Sequence, residues 1–242
     1  YDWYDAALRV APIQDYSLSL TSGKENFSTS AVAGVFKQDG VIINSDYKRY
    51  SLRVNSEFKM TDKLKAGFNV APTYSVNNTP NTDGMFFISG MLSNALQTWP
   101  IINYKNPDGT YPMMAWIPGL SSFPSPNVLR GAQEIKNETT DLRLLSNAYL
   151  QYEPIEGLVI KSSLNFDYGQ NRYTNVIPST ASTGFIAFLP QTSSAILRAR
   201  DYNTWLNENT VTYKKSIGDH NFDLLGGLTL QKFSQNLMQV AY

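Results

Sequence analysis

The sequence predicts an all-β chain: about eight strands of an antiparallel transmembrane β-barrel, with long extracellular loops of which one carries a short helix. Three observations predict it. Apolar and polar residues alternate with period two in one segment after another, as in strands that face two different media. The connections between these segments alternate between short and long. Charged residues make up only 17% of the chain and aromatics 13%, where a soluble domain carries about a quarter charged residues.

Each segment is read in turn. Asp15 to Thr21 sets Tyr16, Leu18 and Leu20 against serines and a threonine. Phe27 to Phe36 is rich in small residues, and its facing is ambiguous. The clearest strand is Tyr47 to Lys59, where Tyr50, Leu52, Val54 and Phe58 oppose Ser51, Arg53, Asn55, Glu57 and Lys59. Thr61-Asp62-Lys63 is a hairpin turn, after which Leu64, Ala66, Phe68, Val70 and Tyr74 oppose Lys65, Gly67, Asn69, Thr73 and Ser75. Asp141 to Tyr152 and Tyr202 to Lys214 are strand-like but less regular. Between and after them, Leu158 to Tyr168 and Asn221 to Leu230 alternate cleanly.

The short connections are Ser22–Asn26, Thr61–Lys63, Pro154–Gly157 and Ser216–Asp219; the long ones are Lys37–Asp46, roughly Asn77–Thr140 and roughly Tyr173–Arg200. Short turns at one end and long loops at the other are the pattern of an outer-membrane barrel. A strand of about ten residues, tilted by about 40°, spans an apolar band about 25 Å tall. Aromatic residues near strand ends, such as Tyr16, Phe58, Tyr74 and Tyr168, suit the two interfaces. A soluble β-sandwich also alternates. The Ser, Thr, Asn, Lys and Asp of the polar faces and a connection of about sixty residues favour the barrel. Within that connection Asp83 is placed to cap a helix from about Gly84 to Thr98, with Ile88, Met91, Leu92, Ala95, Leu96 and Trp99 on one face and Pro100 ending it.

Composition excludes several functions. With 20 basic and 20 acidic residues the formal charge is zero, so no electrostatic case for nucleic acid arises. The absence of cysteine removes disulfides, thiolate metal sites and cysteine nucleophiles, and one histidine, His220, gives little basis for imidazole catalysis. No metal motif, no cofactor motif and no catalytic set is found. The acid pairs Asp2 with Asp5 and Glu134 with Glu138 are better read as solvated carboxylates than as a glycosidase pair. No run of about 18 apolar residues predicts a membrane helix. The start, Tyr1-Asp2-Trp3-Tyr4-Asp5, has no basic and apolar leader and reads as internal, so residues 1–242 are expected to be one part of a larger barrel domain.

Islands of sequence carry a resemblance as well. Asp2-Trp3 and Asp5 lead into Ala11-Pro12-Ile13-Gln14-Asp15-Tyr16 and a Thr21-Ser22-Gly23 turn. Further islands are Gln38-Asp39-Gly40-Val41-Ile42, Asn103-Tyr104-Lys105-Asn106-Pro107-Asp108-Gly109, Asn147-Ala148-Tyr149-Leu150-Gln151-Tyr152-Glu153-Pro154, and Gly218-Asp219-His220-Asn221-Phe222. In this order they resemble the barrel of the SusC/RagA family of TonB-dependent receptors. The resemblance implies a twenty-two-stranded barrel with a plug, in the outer membrane of Bacteroidota, embedded in outer-membrane lipid. It implies a SusD-like surface lipoprotein as lid, TonB acting through a plug region not found in this segment, and oligosaccharide or peptide cargo.

Cargo recognition needs aromatic platforms beside amides and carboxylates. The long loops offer Phe86, Trp99, Tyr104, Asp108, Tyr111, Trp116 and Phe188 as candidate cargo or lid contacts, with Phe87, Phe123, Phe185 and Gln191 nearby. On the polar strand faces, Arg53, Glu57, Lys65, Lys161 and Asp167 are expected to form cross-strand ion pairs along a hydrated wall. The leading expectation is a component of a nutrient importer. A surface-exposed β-protein without transport and a soluble carbohydrate-binding sandwich are the alternatives.

Overall fold

The computed structural model describes residues 1–81, 90–119, 124–181 and 192–242. A single turn of helix, α1 (Trp3–Ala6), leads into β1 (Ile13–Lys24), β2 (Phe27–Asp39), β3 (Asp46–Thr61) and β4 (Leu64–Asn78). The long connection holds α2 (Met91–Gln97), the two-residue strands β5 (Met114–Ala115) and β6 (Ser125–Pro126), and α3 (Val128–Glu134). Then follow β7 (Lys136–Ile155), β8 (Leu158–Ile177), β9 (Ser194–Ile217) and β10 (His220–Ala241).

The eight long strands form one sheet in chain order, each antiparallel to the next, with β1 and β10 at its edges. There is no second large sheet to pack against, which rules out the sandwich among the described residues. All four short connections tighten to two residues, 25–26, 62–63, 156–157 and 218–219, and all lie at one end. Gly218 takes φ 61° there, the left-handed region that only glycine enters without penalty. The N-terminal segment, the connection 40–45 and the described parts of the connections between β4 and β7 and between β8 and β9 lie at the other end.

The strands are 12 to 24 residues long, well beyond the ten-residue segments that alternate in the sequence. The reason is physical. Alternation is imposed only where one face meets an apolar medium; beyond that band both faces are wet, while backbone pairing continues. The register also settles the facing of β2. One row across all eight strands runs Leu20, Ala31, Val54, Val70, Ser146, Phe166, Trp205 and Lys232. The neighbouring row on the opposite face runs Thr21, Ser30, Asn55, Asn69, Asn147, Asn165, Leu206 and Gln231. A one-residue slip would exchange these faces, so the pattern fixes the register.

The apolar face has no protein cover. Leu18, Leu20, Leu52, Phe68, Leu150, Leu164, Leu224 and Leu228 are all exposed, and Ala199 is the one buried apolar residue of the eight long strands among the described residues. The buried apolar cluster lies instead in the loop end: Trp3, Ala7, Met91, Ala95, Ile102, Ala115, Val128, Leu129 and Ala132. The expected helix is corrected in two respects. Its described part is only Met91–Gln97, capped at Gly90, and the expected cap Asp83 and stripe residue Ile88 lie outside the described residues. The stripe also splits: Met91 and Ala95 are buried, whereas Leu96 is 70% and Trp99 48% exposed.

On the polar face, glycine makes room for tyrosine. Tyr149 of β7 pairs with Gly67 of β4 and lies across it, its hydroxyl donating to Glu57 Oε2 of β3 at 2.8 Å. A Cβ on Gly67 would lie 2.4 Å from Tyr149 Cε1; one on Gly169, the partner of Tyr202, would lie 2.1 Å from that ring. Such aromatic-over-glycine pairs cover backbone that glycine leaves bare. Gly67→Ala and Gly169→Ala are therefore expected to destabilise the barrel by about 1–3 kcal/mol through overpacking. Gly226→Ala, whose Cβ meets nothing within 4 Å, is expected to have little effect. Thermal unfolding of the full receptor in detergent, followed by gel mobility, checks the contrast.

Candidate functional site

The loop end is organised by residues that satisfy its irregular backbone. Asp2 caps α1, its Oδ1 accepting from the Asp5 amide at 2.8 Å. Trp3 is buried, and its indole Nε1 donates to the Ile102 carbonyl at 3.0 Å across 99 residues of sequence. Tyr104 meets Trp3 and Tyr1 edge to face, with centroids 5.8 and 5.6 Å away. Arg9 then ties the N-terminal segment to the β2–β3 connection, donating to the carbonyls of Gly40 at 3.0 Å and Ser45 at 2.7 Å. Asn127, 1% exposed, is the centre of the other half. Its Oδ1 accepts from the Leu129 and Arg130 amides to start α3, and its Nδ2 donates to the Tyr104 carbonyl at 2.9 Å. That cap follows Pro124-Ser125-Pro126, and an Asn preceding an apolar run is the sequence signal for α3.

Beside this cap lies a cleft of about 590 Å³, a volume typical of small-molecule sites. Asn44, Asn81, Asn94, Asn127, Asn137 and Asn175 line it, with Thr79, Tyr173 and apolar residues that include Met91, Val128 and Ile135. Among the described residues that line it, none is acidic or basic. Asn137 pairs with Asn175, and both share strand parity with the Asn147–Asn165 row, so the cleft continues the polar face to the loop end.

The residues singled out from the sequence lie elsewhere. Phe86 and Phe188 are outside the described residues, as are Phe87, Phe123, Phe185 and Gln191. Tyr104 packs on Trp3, and Tyr111 packs against the buried cluster while Lys105 Nζ sits 5.3 Å from its ring centre. Trp99 and Trp116 are partly exposed. Asp108 closes its own turn, accepting from the Thr110 amide at 2.9 Å and the Thr110 hydroxyl at 2.6 Å. None of the described ones lines the cleft. The asparagines that do line it are scattered from 44 to 175 in the sequence and converge only through strand pairing and the folding of the long connection.

Of the charged wall candidates, Asp167, Glu57 and Lys161 meet neighbouring side chains. Arg143 grips Asp167 through two bonds of 3.0 and 2.9 Å, a cross-strand pair as expected. Glu57 takes the Tyr149 hydroxyl, and Lys161 Nζ lies 4.6 Å from the same ring centre, so these two meet through a tyrosine rather than as an ion pair. Four asparagines in one row, 55, 69, 147 and 165, add amide bonds: Asn69 donates to Asn55, Asn147 to Asn165 at 2.7 Å, and Asn165 to Glu208 at 3.2 Å. Glu134 pairs with Arg130 at 3.0 Å and Glu138 with Lys136 at 2.8 Å, so the two acids are held apart by separate partners. Among the described residues no cluster of three or more potential ligands could hold a metal.

One continuous antiparallel sheet with an uncovered apolar face, a polar face and all its long loops at one end defines the wall of an outer-membrane-type β-barrel. Comparison with known proteins places that wall more narrowly. No family model matches the chain. It is 30% identical over 244 residues to the TonB-dependent receptor P26 of Formosa agariphila, covering 98% of this chain and 23% of that protein. To the TonB-dependent receptor SusC of Bacteroides thetaiotaomicron it is 23% identical over 262 residues, covering 97% of this chain and 24% of SusC. The RagAB peptide importer in its open-open state superposes with a TM-score of 0.80 at 23% identity, over 99% of this chain and 26% of that one. The chain is thus similar along its whole length to barrel segments of SusC/RagA-type TonB-dependent receptors, and it spans about a quarter of the relatives it matches.

Two outcomes follow from the loop end. Trp3→Ala is expected to cost about 3–5 kcal/mol locally by leaving a cavity and a carbonyl without its donor. Limited proteolysis of the intact receptor should then cut within 79–135 while the strands stay protected. The Thr110 bonds hold the Asp108 carboxyl below the usual carboxylate range. Because its folded value is depressed, the stabilisation is present above the ordinary Asp value near pH ~3.9 and is lost as pH falls through the lowered one. Hydrogen exchange at the Thr110 amide should therefore stay slow down to about that pH and quicken only below it.

Proposed function

We propose that residues 1–242 are part of the barrel domain of an outer-membrane TonB-dependent importer of nutrients, supplying barrel wall and extracellular loops. The observation that carries the reading is the pair of adjacent rows through Leu20 and Thr21, the first mostly apolar and the second mostly polar across the eight strands, with no protein over the apolar face among the described residues. Such a face is stable only against lipid, because large apolar patches are otherwise covered. The polar face then lines a hydrated interior, and the loop end with its cleft is the side from which cargo enters. Similarity to receptors of the SusC/RagA kind supports energy coupling through TonB and a plug elsewhere in the polypeptide. It also supports a SusD-like lipoprotein beside the loop end and oligosaccharide or peptide cargo.

The test uses the full receptor in its own cells. Deleting its gene should abolish accumulation of its cargo, and dissipating the proton gradient should stop accumulation while leaving surface binding in place. Accumulation that survives loss of the gradient, or a full-length protein that fractionates without membranes, would overturn the reading.

A further inference from the structure

We infer that the apolar face carries a binding site for one anionic, phosphate-bearing lipid of the surrounding membrane, with an acyl chain in a groove over β1 to β4 and the headgroup phosphate on Lys37 and Lys48. The inference rests on the barrel reading, which sets this face against lipid.

A groove of about 530 Å³ lies on the apolar face. Tyr16, Val35, Tyr50, Tyr74 and Leu142 stand side by side along it, in one register row across β1, β2, β3, β4 and β7. The next row toward the short turns holds Leu18, Ala33 and Leu52. Ala33 is too short to fill the space between its two leucine neighbours, and beside it the β3–β4 pairing is interrupted at Pro72, which also lines the groove. Strands β2 and β3 are paired on both sides, so the groove offers few free backbone groups. That suits an alkyl chain, which needs only apolar contact, and not a peptide, which needs backbone partners.

One row further toward the loop end stand Gln14, Lys37, Lys48, Val76 and Thr140, with no acid among them. Lys37 and Lys48 are directly opposite, where like charges repel unless an anion lies between them. The acids of the following row are already engaged. Asp39 lies 3.8 Å from Arg9, and Asp46 accepts from Asn78 at 2.8 Å and meets Lys48 at 3.1 Å. The Lys48 side chain is still 45% exposed, and Lys37 has no ion-pair partner among the described residues.

The order from groove to tyrosine row to lysine pair is the order of a lipid from acyl chain to headgroup. Tyrosines favour the level where apolar and polar surroundings meet, and a lysine lays its stem on apolar surface while its ammonium reaches the polar side. Between two ammonium groups a phosphate receives charge-assisted hydrogen bonds.

The test mixes the full receptor, purified in detergent, with equal amounts of phosphorylated lipid A and the same lipid A freed of phosphate. Native mass spectrometry counts the lipid retained, and gel mobility confirms folding of each variant. The parent should retain the phosphorylated form about fivefold or more over the other, since each lysine near an anionic lipid contributes about that factor. Lys37→Gln should weaken this preference and Lys37→Gln with Lys48→Gln remove it, whereas Lys37→Arg keeps it. Ala33→Phe, which fills the groove and leaves the charges, should lower retention of both forms. Lys65→Gln on the polar face should change nothing, and nor should Asp83→Asn, which alters the one acid outside the described residues. Equal retention of the two lipids by the parent, a preference that survives in the double variant, or retention that rises in Asp83→Asn overturns the lipid site and leaves the barrel reading intact. A full receptor that stays dispersed without detergent sinks the barrel reading, and the lipid site with it.

Discussion

Every feature of this chain depends on one constraint: backbone amides and carbonyls in contact with an apolar medium must be paired by other backbone groups. An antiparallel sheet in strict chain order satisfies that requirement with two-residue turns, and the eight strands from Ile13 to Ala241 do so. The pairing between β3 and β4 skips Leu52 and Arg53, opposite Pro72 and Ala71, where proline has no amide to give. Even there the sheet stays in register on both sides. The two edges, β1 and β10, are the remaining demand, since a barrel has no free edges.

Once pairing is settled, the side chains divide the work. One face is apolar without a protein core over it among the described residues, as the outer face of a membrane barrel wall is. The other face cannot rely on burial and builds stability from polar contacts instead: the Arg143–Asp167 fork, the asparagine row, and tyrosines laid over glycines. Individually, exposed contacts of this kind contribute little. Their value is in pinning side chains along a wall that must stay smooth and hydrated.

The loop end obeys a different rule. It is in water and has a small apolar cluster centred on Trp3, Met91 and Val128, with caps and side-chain bonds to backbone closing the irregular chain. Residues that look like ligand platforms in the sequence, Tyr104 and Tyr111 above all, serve that cluster. The cleft beside it is formed by amides, with Asn94 held at its wall by the backbone of α2.

Strand number, strand order, the sides on which short and long connections fall, and the facing of Leu52 or Lys65 were all legible in the sequence. Period-two alternation and turn residues are local signals, because each strand residue faces one side or the other of the sheet. Strand ends were not legible, because outside the apolar band pairing continues with nothing to impose alternation, as in Ser194–Ile217. The cleft was illegible for a related reason. Asn44, Asn94, Asn137 and Asn175 carry no spacing that marks them as a set, and only the register of β7 with β8 and the folding of the long connection bring them together. The sequence by itself determined the wall, because a two-faced strand writes its environment into every second residue. The tertiary structure decided the site, because a site is built from residues whose proximity is set by pairing across strands rather than by order along the chain.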